Sequence, residues 1–268
     1  MQIVFLIFLF IVGACFGSFL CCQARRLHLK SKKSQTKLSQ RSICLNCRRQ
    51  LKWYDNLPIL SWLILRGKCR HCHHKIGYAE LLSELGFGLA FLCLGVNFDC
   101  TTTSFLTWAS FITVIVFAII IGFLAIYDGL YGELPTRFLM IAIFIAIINL
   151  VIQEVVLSSS SPFSITFITD PIISFLILGG LYLILYLVSK GKWVGDGDWL
   201  LGSAIALVLF RPWLALICLF LANILACLIM APAMKGKKTH QIYFGPFLVI
   251  AFVITYSLSN FLLFLISG

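Results

Sequence analysis

Apolar runs of about 20 residues constrain this chain more than any other feature, because a helix of that length crosses the roughly 30 Å hydrocarbon core of a bilayer. Eight such segments can be marked, at approximately 2 to 22, 79 to 97, 104 to 127, 138 to 157, 170 to 189, 199 to 210, 213 to 232 and 243 to 266. The expected fold class is therefore all-α, a polytopic membrane helix bundle of about eight transmembrane helices. Composition agrees. Of 268 residues, 60% are apolar and 12% charged, with a mean hydropathy of +1.00, which excludes an ordinary water-soluble domain. The sixth segment is short and is cut from the seventh by Arg211 and Pro212, so it is expected to tilt, to thin the bilayer or to be partly re-entrant.

Positive charge tests the count independently, since Lys and Arg collect in cytoplasmic loops. With eight spans, every Lys and Arg but Arg211 of the 21 present falls in the loops after spans one, three, five and seven. Both termini are then expected outside the cytoplasm, and the net charge of +11 is mainly this topology signal. The first apolar run resembles a signal peptide, and Val12-Gly13-Ala14-Cys15 loosely resembles a lipoprotein cleavage site. No Lys or Arg precedes the run and the basic residues begin at Arg25, which favours an uncleaved first span.

The expected organisation is a first transmembrane helix (1–22), a cytoplasmic loop domain (23–78) and a transmembrane core of about seven helices (79–268). The loop domain is too small to bury much core without a staple. Cys44-Leu45-Asn46-Cys47 and Cys69-Arg70-His71-Cys72 supply one, as two C-x-x-C knuckles separated by 21 residues, close to the spacing of a four-thiolate zinc site. A loop facing a reducing cytoplasm disfavours disulfides between these cysteines, and nearby Lys and Arg favour thiolates. His71, His73 and His74 read as solvated neighbours. The other seven cysteines read as small packing residues. The polar run Lys30 to Arg41 is expected to be mobile over 31–42 and to lie against anionic lipid. Its charge is already required by topology, so nucleic acid is not an expected partner.

Two aspartates remain. Asp128 follows the third span in Tyr127-Asp128-Gly129-Leu130-Tyr131-Gly132-Glu133-Leu134-Pro135, where glycines and a proline end one helix before the next begins. Asp198 closes Gly195-Asp196-Gly197-Asp198 just ahead of the sixth span, where two glycines permit close approach of the backbone. Singly, Asp128 reads equally well as the mark of a helix end and Asp198 as an N-cap. Together, at hydrophobic boundaries on one expected membrane face, they fit a paired-carboxylate hydrolase, in which one carboxyl is protonated and its partner ionised. Two other classes use the same features differently. A transporter would couple a proton or cation to intramembrane carboxylates, though these are expected nearer mid-membrane. A zinc-dependent membrane scaffold would recruit a partner through the four-cysteine loop and leave the aspartates structural.

These residues, in this order, resemble the type IV prepilin peptidases, a family of GxGD-type intramembrane aspartic proteases. The resemblance extends over nearly the whole chain. It rests on Gly17-Ser18-Phe19, the two knuckles, Tyr54-Asp55-Asn56-Leu57-Pro58-Ile59-Leu60-Ser61-Trp62, Leu65-Arg66-Gly67-Lys68-Cys69-Arg70, Glu84, Asp128 with Leu134-Pro135, Gly195-x-Gly197-Asp198 and Phe244-Gly245-Pro246-Phe247. The resemblance implies an endopeptidase at the cytoplasmic face of a bacterial inner membrane that removes the basic leader of prepilins and pseudopilins after a glycine. Asp128 and Asp198 would be its catalytic pair, with Gly195, Gly197, Pro135, Gly245 and Pro246 shaping the site. Cys44, Cys47, Cys69 and Cys72 would hold zinc. Many members also methylate the new N-terminal residue from S-adenosylmethionine. One departure stands out: Leu200 occupies the position where the family commonly has a lysine two residues after the second catalytic aspartate. Lys190 and Lys192 are the nearest substitutes. Asp196 is a third carboxylate, at the motif's variable position, and is expected to be solvated. A local acidic balance from Asp128, Glu133, Asp196 and Asp198 is expected to attract a basic leader at short range.

Overall fold

The computed structural model describes residues 1–31, 43–44, 46–47, 49–98, 100, 104–158, 166–191, 194–234 and 243–261. Nearly all of the polar run 31–42, and also Lys192, Lys235, Lys237 and Lys238, lie outside them. Among the described residues the chain is helical and has no strand beyond two isolated antiparallel bridges. Six helices are long and apolar enough to cross a membrane: Gln2–Lys30, Tyr78–Val96, Phe105–Tyr131, Thr136–Val156, Ile168–Ser189 and Pro212–Ile229. The two other expected spans also form helices, of 14 and 13 residues, at Asp196–Leu209 and Gly245–Ser257.

The chain divides into two compact units, Met1–Gly95 and Val96–Gly268. In the first, α1 (Gln2–Ser31) packs on α3 (Tyr78–Val96), with a loop between them that carries a single 3-10 turn (Trp53–Asn56) and the short α2 (Leu60–Ile64). α1 extends about two turns beyond its apolar run, because nothing in Gln23 to Lys30 breaks a helix and charged side chains there can reach water. Gly13 and Gly17, one turn apart, let α1 approach α3 closely. A Cβ on Gly13 would lie 2.5 Å from the Phe87 carbonyl oxygen, and one on Gly17 would collide with the backbone of Ser83 and Glu84. This is the small-x-x-x-small contact by which membrane helices gain packing that lipid cannot supply. An ion pair between Arg25 and Glu80, 2.6 Å long, marks the charged end of the contact.

The second unit is a bundle of α4 (Phe105–Tyr131), α5 (Thr136–Ser158), α6 (Thr166–Phe175), α7 (Leu181–Ser189), α8 (Asp196–Leu209), α9 (Pro212–Met234) and α10 (Gly245–Ser257). Val114, Phe117, Ile121 and Leu124 form a fully buried stripe along α4, which packs on α5 and α10. A π-helical turn, Leu176–Gly180, joins α6 to α7, five residues after Pro171 removes a backbone donor from α6. Gly179 in that turn sits against Ser203 of α8.

The short sixth segment has a physical reason. α8 is only about 21 Å long at 1.5 Å per residue, shorter than the hydrocarbon core it is expected to cross. Nearly every residue from Leu201 to Leu209 is nonetheless buried, because α5, α6, α7, α9, α10 and the π turn surround it. It is a core helix walled off from lipid by its neighbours. Asn149 of α5, also fully buried, donates to Thr113 Oγ1 (2.7 Å) and to the Ser110 carbonyl (3.1 Å), and thereby ties α5 to α4.

Candidate active site and metal centre

Asp128 lies one turn before the end of α4, which continues through Gly129 to Tyr131 and stops at Gly132, whose left-handed backbone (φ 69°) closes the helix. The Gly132 N–H donates to the Asp128 carbonyl (2.7 Å), so the main chain of Asp128 serves the helix end while its side chain is free for another role. That side chain is 5% exposed and accepts a 3.0 Å hydrogen bond on Oδ2 from the Gly245 N–H, 117 residues away at the start of α10. A glycine is needed there: a Cβ on Gly245 would stand 2.8 Å from Asp128 Oδ2. Pro246 follows in the first turn of α10, where its missing donor costs nothing, and lies beside Gly129.

Asp198 is also 5% exposed. Gly195 caps α8 and Asp198 is the third helical residue, where its Oδ2 accepts the Gly195 N–H at 2.9 Å. It is therefore the reaching-back member of a capping arrangement and not the N-cap. Gly197 faces the turn between α4 and α5. A Cβ on it would stand 2.5 Å from the Leu134 Cβ, and Leu134 is followed by Pro135, which directly precedes α5. Leu134 thus holds the α8 start against the segment that follows Asp128.

The geometry also brings in a residue that the sequence does not advertise. Tyr182 of α7 is 2% exposed; its ring packs on the Phe244 ring (5.3 Å between centroids), beside Gly245, and against Gly202, one turn along α8 from Asp198. Asn223 of α9 donates to its hydroxyl (3.1 Å). Tyr182 accordingly packs on the residue before Gly245 and on α8 one turn after Asp198. Only the π turn, which shifts the helical register before α7, gives this tyrosine its place, and one aromatic in an apolar run carries no such signal. Asp196 and Glu133 are exposed. Lys190 is exposed in a left-handed conformation at the end of α7, and Lys192 lies outside the described residues.

In the first unit the sulfur atoms of Cys44, Cys47, Cys69 and Cys72 lie within 4.8 Å of one another. Four thiolates around a zinc at 2.3 Å would stand about 3.8 Å apart, and the Cys44 and Cys72 sulfurs are 3.8 Å apart. The knuckles share one geometry. Ile43 bridges Gln50 and Lys68 bridges Lys75, while the N–H groups of Cys44 and Cys69 donate to Arg49 and His74 carbonyls, each at 2.9 Å. The repeat at an offset of 25 residues places four sulfurs around one point. The cluster fits a metal ion. His71, His73 and His74 are exposed, with His71 Nδ1 3.0 Å from Arg49.

Comparison with known proteins agrees with this architecture. Residues 11–98 match the Bacterial Peptidase A24 N-terminal domain. A Vibrio cholerae protein named "Prepilin leader peptidase/N-methyltransferase" is 41% identical over 91 residues, covering 32% of this chain and 36% of that protein. A Myxococcus xanthus protein of the same name is 44% identical over 91 residues, covering 34% of this chain and 26% of that protein. A Dichelobacter nodosus protein of that name aligns over 215 residues at 28% identity, covering 80% of this chain and 70% of that protein. The first two alignments therefore span only about a quarter to a third of those relatives' length, and the third extends across both aspartates' region of the chain. No solved structure matches this chain. By these matches the chain is similar to proteins named as prepilin leader peptidases, and the resemblance read from its motifs stands.

Proposed function

We propose that this protein is a membrane-embedded aspartic endopeptidase of the bacterial inner membrane that removes the basic leader from type IV prepilins or pseudopilins at the cytoplasmic face. The observation that carries the reading is the pair Asp128 and Asp198: two buried carboxyl groups, each held through one oxygen by a glycine N–H from a helix start, with Leu134, six residues after Asp128, packed on Gly197 next to Asp198. Those bonds engage Oδ2 of each residue and leave Oδ1 to face a water and a scissile carbonyl. One aspartate, ionised, takes a proton from the attacking water while the other, protonated, donates to the carbonyl oxygen; the roles then reverse as the amine leaves. Glycine at 197 and 245 is required because a Cβ would displace Leu134 or Asp128, and a Cβ at 195 would crowd Asp198 Oδ2 at 3.1 Å. The exposed carboxylates Glu133 and Asp196 supply short-range attraction for a basic leader.

The four cysteines would hold a structural zinc that staples the loop of residues 23–78, a domain too small to stand on burial alone. Both termini lie outside the cytoplasm in this reading. The name shared by the relatives supports a second activity, N-methylation of the trimmed substrate with S-adenosylmethionine as methyl donor.

The test is co-expression with a prepilin. Asp128→Asn and Asp198→Asn are each expected to lower leader removal by about 100-fold or more at unchanged protein level, whereas Asp196→Asn retains most of it. A scaffold or a transporter would leave leader removal unaffected by any of the three, and wild-type cleavage in both dyad variants would refute the proposal.

A further inference from the structure

The loop between α1 and α3 carries an apolar face that its own fold leaves bare. In α2, Trp62 turns inward onto Gly67 and Tyr78, and the Ser61 hydroxyl donates to the Asp55 carbonyl (2.7 Å). The opposite face consists of Leu60, Leu63 and Ile64, at the i, i+3, i+4 spacing of one helix side, and these are 57%, 56% and 73% exposed. Leu57, one turn earlier, and Trp53, 77% exposed, extend it. A soluble loop gains nothing from such a surface.

Its depth says what covers it. The Ile59 N–H donates to Glu84 Oε2 (2.7 Å), and Glu84 lies one helical turn deeper in α3 than Glu80, which makes the charged contact with Arg25. Glu84 packs level with Gly17 of α1, within the apolar run that ends at Cys22. Even after allowing for the reach of a glutamate side chain toward its helix start, the entry to α2 sits at or inside the Arg25–Glu80 layer. That layer is where two membrane-crossing helices leave hydrocarbon. The backbone is equipped for such a place. Ile59 N–H is satisfied by Glu84, and Ser61 and Leu63 donate to Leu57 and Ile59 carbonyls, at 3.1 and 3.0 Å. Ile59 adopts φ 62°, a conformation that a β-branched residue takes only when its surroundings impose it. Arg66 and Lys68, both exposed, follow the face directly, and Trp53, Trp62 and Tyr78 are aromatics of the kind that gather at membrane interfaces.

We propose that residues 57 to 64 form an interfacial re-entrant element, with the Leu60, Leu63 and Ile64 face immersed in the acyl boundary of the bilayer that α1 and α3 cross, and Arg66 and Lys68 at anionic headgroups. The zinc-knuckle module is then pinned to the membrane surface at a third point besides its two flanking helices.

The experiment is photocrosslinking of the full-length protein in vesicles of phosphatidylethanolamine and phosphatidylglycerol, with p-benzoylphenylalanine replacing Leu60, Leu63 or Ile64 in turn. Leu82, on the exposed face of α3, serves as the lipid-facing reference, and His73, exposed beside the second knuckle, as the water-facing one. Mass spectrometry is expected to find phospholipid adducts at Leu60, Leu63 and Ile64 at yields comparable to Leu82 and several-fold above His73. With Leu82 labelled, absence of lipid adducts at Leu60 and Ile64 would overturn the proposal. So would adducts there only to another part of this chain, to a second copy or to an added prepilin, or a yield at His73 equal to that at Ile64.

Discussion

At the scale of single residues, the site depends on what is missing from its glycines. Gly245 and Gly197 have ordinary backbone angles, so their value lies in the lack of a Cβ where Asp128 Oδ2 and Leu134 already stand. Gly245→Ala would push the Asp128 carboxylate away from its only described backbone donor, and Gly197→Ala would lever the start of α8 away from Leu134. A displacement near 1 Å at a reacting group costs about 100-fold. Each variant is therefore expected to lose most leader removal in a cleavage assay while remaining folded by circular dichroism. Cleavage at the wild-type rate in both would mean that these contacts do not set the geometry. The sequence marked the two aspartates and both glycines through local motifs. It could not reveal that Gly245 serves Asp128, because a bond over 117 residues leaves no local trace, nor that Tyr182 packs on Phe244 and Gly202, because those contacts join distant elements.

At the scale of elements, helix existence was legible and helix limits were not. Apolar runs place a helix at each expected span, six of them long enough to cross among the described residues, yet α1 continues past Cys22 and α4 past Tyr127, since neither charged side chains nor a single glycine compels a helix to stop while its backbone bonds remain satisfied. The short run at 199–210 is expected to tilt, to thin the bilayer or to be partly re-entrant; its length carries no sign that α8 is ringed by five other helices and the π turn, because those contacts join distant parts of the chain. Gly13 and Gly17 lead to an element-level prediction. Gly17→Val would force α1 off α3 and destabilise the protein by about 1–3 kcal/mol, the usual range for overpacking, visible as a lower midpoint of thermal unfolding in detergent. Val12→Ala, a neighbour outside the glycine contact, should produce a smaller shift. The knuckles yield another: purified protein is expected to carry about one zinc per chain, lost when Cys44→Ser and Cys72→Ser are combined. Metal-free but folded wild type would contradict a zinc staple.

For the molecule as a whole, the two units divide the labour. The first carries the matched amino-terminal domain and a four-sulfur centre, and the second carries both carboxylates. Cleavage should therefore respond to the units differently. Disrupting the cysteines is expected to alter stability and the state of the loop, whereas disrupting either aspartate should remove the proposed chemistry from an otherwise intact protein. If the second activity is present, the processed substrate should gain 14 Da at its new N-terminus, the mass of one methyl replacing one hydrogen, and both dyad variants should abolish it by withholding that N-terminus. The central claim, that Asp128 and Asp198 together hydrolyse the leader junction, is tested most directly by incubating purified protein in vesicles with a purified prepilin and measuring the substrate's intact mass. Wild type should release the leader at a glycine junction, and Asp128→Asn and Asp198→Asn should leave the substrate at full length. Release of the same leader by both variants would contradict the account.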